Sequence, residues 1–256
     1  MRFFNLFKTR EKGAETGEKK SKNANEIVRW AERATDRRAQ NYDRQEALAA
    51  LADMDPPAVA ALLKRFTFTI DPFILDQEEK EIAFKGVLNA GREAIEPVRT
   101  FAQKAESLAW PIKILKAILS EEELIEELTQ WLSQWDTEYA KFVDPKVQLL
   151  ATLEEYQSAR IQEIVTPFLE DVNESARFHA VNTLLAQGDE KTAPCLLKAL
   201  CSEESFRVKN KIAEGFGLYQ WQIPEEQHKQ VKQALPHGFS VDQERRIRKE
   251  TRGANQ

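Results

Sequence analysis

The sequence predicts an all-α protein, a stack of about six antiparallel helix pairs behind a flexible N-terminal tether. Three observations lead there. Glycine is scarce, at nine residues in 256, and from Asn25 onward apolar residues recur with helical spacing. Helix start and stop signals cut that stretch into segments of ordinary helix length. Similar phrases also return along the chain: "ESAR" at Glu174 to Arg177 reappears thirty residues later as "ESFR" at Glu204 to Arg207.

Taken in order, residues 1–24 hold an apolar opening, "MRFFNLFK", and a polar stretch of mixed charge without apolar periodicity, the composition of a linker. The body, 25–240, reads as helices near 25–39, 43–54, 57–66, 77–90, 92–106, 109–119 and 121–134. Further helices follow near 146–157, 160–170, 174–187, 190–201, 204–219 and 225–235. Asp43 with Glu46, Asp76 with Glu79, and Ser120 with Glu123 have the spacing of capping boxes, in which cap and Glu satisfy reciprocal backbone donors. Asp55-Pro56-Pro57 and Asp144-Pro145 put a capping acid before a first-turn proline, and Gly91 and Gly188 stand where a helix ends. Short linkers make neighbouring helices antiparallel, except at two longer connections, 67–76 and 135–144. The last segment, 241–256, reads as a basic helix or tail.

The recurring unit is an apolar helix end, an acidic turn, an arginine, a second helix with small residues, and a glycine. It runs from Leu169 through Arg177 and Ala180 to Gly188, and from Leu200 through Arg207 and Ile212 to Gly217. The companion helix recurs as Gly91, Glu93, Pro97 and as Gly188, Glu190, Pro194. Two antiparallel helices cannot bury their apolar faces alone, so copies must stack into a solenoid. Over 146–221, and more faintly from about residue 43, this pattern resembles the HEAT-repeat family in the short form found in many bacterial proteins and in phycobilisome-lyase-like repeats. The resemblance implies a right-handed α-α superhelix and a partner-binding concave face, and it brings no catalytic motif. Asn210 in the small-residue position, the apolar insertion within 57–76 and the weak repeat over 108–144 depart from the pattern.

Charge narrows the partners. Residues 1–25 carry seven basic side chains against three acidic ones, and 242–256 carry five against three. With a total of -5, the stretch between is left at -11. Such a body repels phosphate backbones, which argues against nucleic-acid binding. Cys195 and Cys201 lie about 9 Å apart along a helix axis, beyond disulfide reach, and are expected as core thiols. Dispersed histidines, no H-E-x-x-H and no G-x-S-x-G leave no catalytic or metal constellation and call for no cofactor. Gly215-Phe216-Gly217 reads as helix termination. With no long uncharged run and no signal segment, the location expected is cytoplasmic.

The candidate residues carry a structural and a functional reading each. Arg177 and Arg207 read as structural arginines bridging the acidic turns of adjacent repeats, with Asp171, Glu174, Glu203 and Glu204 as partners. Trp131 and Trp135 share a helix face with Leu124 and Leu128 and read as core. Together with Arg99 and Gln103 they are also the expected partner-binding residues of a concave ridge, beside the acidic run of Glu121 to Glu127. The apolar connection containing Phe66, Phe68, Ile70, Phe73, Ile74 and Leu75 reads as a cap folded over the first repeats or as one wall of a groove. Phe3, Phe4, Leu6 and Phe7 form a docking peptide for a protein groove, or for weak membrane contact.

The expected function is therefore a noncatalytic scaffold or adaptor binding another protein through a concave face. The alternatives are a HEAT-fold enzyme or subunit, bilin-lyase-like before DNA-glycosylase-like, and a peripheral membrane assembly factor tethered by residues 1–8.

Overall fold

The computed structural model describes residues 23–54 and 56–250. The N-terminal docking peptide and nearly all of the tether lie outside the described residues. The fold is all-α, with one small two-stranded sheet near the C-terminal end. The chain divides into two compact units, Met1–Ser120 and Glu121–Gln256.

The first unit contains α1 (23–35), α2 (Asn41–Ala52), α3 (Val59–Leu63), α4 (Phe73–Asn89), α5 (Ile95–Ala102) and α6 (Ala109–Ile118). Helix α4 packs between α2 and α6, while α3 packs on α5, so alternate helices form separate layers. Leu48, Leu51, Leu62, Val87, Val98 and Leu115 fill the space between them.

The second unit repeats that alternation. It contains α7 (Glu121–Leu132), α8 (Asp144–Leu153), α9 (Ala159–Val165), α10 (Glu174–Gln187), α11 (Ala193–Ser202), α12 (Phe206–Tyr219) and α13 (His228–Ala234). Helices α8, α10 and α12 form one layer. Helices α7, α9, α11 and α13, with the short 3-10 turn Thr166–Glu170, form the other. This alternation is compatible with a helical-repeat protein.

Several expectations change in detail. Asp43 and Asp76 do not cap: their helices begin earlier, after Gln40 and Pro72. Both carboxylates therefore fall in a first turn, where Asp43 pairs with Arg33 and Asp76 with Arg65 and Lys80. Asn173 and Ser205 are true caps, each accepting from the amide three residues on, and Gly188 ends α10 at φ 65°.

Gly217 terminates nothing, because α12 runs on to Tyr219 and turns left-handed at Gln220. Of the α12 glycines, Gly215 permits a close approach instead. A Cβ at Gly215 would stand 2.3 Å from the Leu185 side chain of α10, and one at Gly217 would stand 3.4 Å from the Ile247 carbonyl. Cys195 and Cys201 are half-buried rather than core residues. Burial pushes both thiols up, away from the reactive thiolate.

Of the segment 241–256, expected as a helix or tail, the described residues form no helix. Strands β1 (Phe239–Val241) and β2 (Ile247–Lys249) pair antiparallel. Gly238 and Arg245 at positive φ interrupt any helix, and the Asp242 carboxylate ties the turn by accepting from the amides of Glu244 and Arg246. Ile247 is fully buried and β2 packs on α12. Beside it Trp221 stacks on Tyr219 at 4.8 Å and meets the Phe216 ring edge-on. The hairpin thus covers apolar surface that another helix pair would otherwise have to bury.

Candidate functional site

Caps set the register of the second unit. Asn173 corresponds to Ser205 and Gly188 to Gln220, so the structural period here is 32 residues, where the phrase "ESAR/ESFR" returns after 30. Ser175 lies inside the first turn of α10 whereas Ser205 caps α12. The same words occupy different places, and Arg207 is the counterpart of Ser175 rather than of Arg177.

In the correct register a ladder of charge appears. Lys146, fully buried near the start of α8, donates to Asp171 at 2.5 Å and to the Asp136 carbonyl at 3.1 Å. Arg177, near the start of α10, grips Glu203 with two bonds of 2.8 and 2.9 Å and donates to the Asp171 carbonyl at 2.8 Å. Each acid stands two residues before the next cap. Burial would push the Glu203 carboxyl up, but Arg177 and the amides of Ser205 and Glu204 hold it below the usual carboxylate range. Arg207 reaches back to Glu174 at 3.2 Å and lies 3.6 Å over the Phe178 ring. Glu204 accepts from neither arginine in this arrangement.

Polar bonds also pin α8, α10 and α12 side by side. Thr183 Oγ1 donates to the Leu150 carbonyl at 2.9 Å, Gln187 Nε2 to the Tyr156 carbonyl at 2.9 Å, and the Tyr219 hydroxyl to the Leu185 carbonyl at 2.7 Å. Gln187 and Tyr219 are 32 residues apart and perform the same reach into the preceding repeat.

Outside those bonds, α10, α12 and Glu154, just past the end of α8, line a groove of about 510 Å³, within the size range of ligand sites. Its apolar lining includes Ala186, Tyr219 and Leu218, which is 75% exposed. The polar lining comes from Glu154, Asn182, Lys211 and Glu214, and the buried lining residues are Leu185 and Gly215. Glu154 is engaged by His179 at 2.6 Å and Glu214 by Lys249 at 3.3 Å. Asn182 Oδ1, out of contact with solvent, accepts no hydrogen bond, and Lys211, half-buried, has no acidic partner among the described residues. An unsatisfied polar atom of this kind costs about 1–3 kcal/mol.

The residues expected from the sequence lie elsewhere. Arg99, at the end of α5, pairs with Glu96, and Gln103 just beyond it is exposed; both belong to the first unit. Trp131 and Trp135 belong to the second unit and are half-buried. Helix α7 ends at Leu132, so Trp135 sits in the following turn, its amide donating to the Leu132 carbonyl, and does not continue the Leu124 and Leu128 stripe. Trp110 stacks on Phe66 at 4.7 Å within the first unit. Of the apolar connection, Phe68 is buried beneath the guanidiniums of Arg65 and Arg37, whereas Phe73 and Ile74 open α4 and are exposed.

Among the described residues no set of three or more His, Cys, Asp or Glu side chains is placed to hold a metal, and no helix is long and apolar enough to cross a membrane. No protein-family model matches the chain, and a comparison with curated proteins gives no match. The groove was legible in the sequence only through the period of 32, which sets Lys211 opposite His179 and Glu214 opposite Asn182.

Proposed function

We propose that the chain is a HEAT-like, noncatalytic binding module that holds a segment of a partner protein against the α8, α10 and α12 layer. The supporting observation is the groove itself: an exposed leucine beside a buried carboxamide oxygen that lacks a donor. A surface with an apolar lining and open polar groups suits a peptide, which brings both side chains and backbone amides. The charge ladder and the helix-end bonds hold the layer rigid, so a partner meets a preformed site and little ordering entropy opposes binding.

A photo-activatable amino acid at position 218, compared with one at exposed Glu163 of α9, tests this in cells of the source organism. The expected result is one protein cross-linked from 218 and not from 163, and lost when Ala186→Asp is added without change in melting. Equal cross-linking from both positions, or none above background, would overturn the reading.

A further inference from the structure

On the reading just given, we infer that the segment held in the α10/α12 groove is an extended acidic peptide, with a carboxylate side chain about three residues from a large apolar one. The charge argument starts from what is already paired. Two acids line the groove: Glu214 is paired with Lys249, and Glu154 shares a 2.6 Å hydrogen bond with the His179 ring. Lys211 of α12, half-buried as a residue, is the cation left without an acidic partner among the described residues. A lysine without an acidic partner favours an anion, and a basic segment would meet it without compensation.

The backbone argument starts from Asn182. A carboxamide carries one acceptor and two donors, and its Oδ1 is buried without a donor. A peptide group offers N–H and C=O side by side, so it answers a carboxamide in either orientation of the amide. A carboxylate alone would supply only acceptors and leave Oδ1 orphaned.

Spacing follows from geometry. Lys211 and Leu218 are seven residues apart on α12, about 10 Å along a helix. An extended strand covers that distance in about three residues at roughly 3.3 Å each. The acid on Lys211 and the apolar side chain on Leu218 and Ala186 therefore stand about three positions apart in the ligand, with the intervening backbone over Asn182.

Random dodecapeptides displayed on phage and selected on the full chain test this. Expected are peptides with Asp or Glu three positions from Leu, Ile, Phe or Met. By fluorescence anisotropy a labelled selected peptide should bind Lys211→Glu about tenfold or more weakly, with selection on that variant turning to Lys and Arg. Asn182→Leu should also weaken binding, while Lys232→Glu, on α13, should not. All variants are checked for unchanged melting. Selected peptides that depend on Leu218 but show no acidic preference, or keep it after Lys211→Glu, would overturn the inference and leave the binding module standing. Failure to select any peptide that Leu218→Asp abolishes would overturn both.

Discussion

The first unit encloses a knot of charge in which the surrounding groups are satisfied, and the second presents a groove in which two polar groups are open. In the knot, Glu79 lies between Arg44 at 3.0 Å and Arg65 at 2.7 Å, while Asp76 takes Arg65 at 2.8 Å and Lys80 at 2.6 Å. All five side chains are buried. Arg65 also donates to the Phe68 carbonyl, and the Ile70 amide donates to Asp76. The groove holds the same chemical types, yet Asn182 Oδ1 and Lys211 are unanswered. Saturated charge fastens the irregular part of the first unit, whereas on the α8, α10 and α12 layer Asn182 Oδ1 and Lys211 have no partner among the described residues.

The harshest way to break this comparison is Arg65→Ala. It leaves Glu79 and Asp76 buried with fewer cations, so unfolding in denaturant should show a loss of about 3–5 kcal/mol. A loss below about 1 kcal/mol would mean that the knot does not hold the first unit together.

Acid should unlock both units. Burial would raise the Asp76 carboxyl, but Lys80, Arg65 and the Ile70 amide hold it below the ordinary 3.8, and Glu203 is likewise held below 4.5. For a depressed carboxylate the unfolded state binds the extra protons. The stability contributed is therefore complete above these ordinary values and lost as pH falls through the lower folded-state ones. Melting temperature followed from pH 7 to about pH 2 should be level near neutrality and fall below roughly pH 4.5. A profile without that fall would dissociate these carboxylates from stability.

Two glycines sharpen the comparison within the groove layer. Gly215→Ala forces the Leu185 side chain to move and should cost about 1–3 kcal/mol and distort the groove. Gly217→Ala meets only ordinary contact with the Ile247 carbonyl and should be neutral or gain up to about 1 kcal/mol from helix propensity. Equal effects in thermal melts would remove the distinction between a helix contact and a mere helix interior.

Much of this was visible in the residues. The order and type of the helices followed from apolar spacing and from signals such as Gly188, because a helix end is a local hydrogen-bond requirement that a few neighbouring residues meet or fail. The hairpin at 239–249 was hidden because its strands are three residues each, and Ile247 is buried only by packing on α12. Asp76 looked like a cap and proved to be a buried ion-pair partner, since its cation Arg65 arrives from another element.

The groove shows the same boundary. The sequence by itself determined an acidic, all-α chain with recurring helical blocks, because periodicity and capping act over one or two turns. Only the tertiary structure decided which cations would be answered. Lys146 and Arg177 found acids 25 and 26 residues along the chain, and Lys211 found none among the described residues. Pairing depends on which side chains the stacked helices bring within about 4 Å, a distance that the order of residues along the chain does not encode.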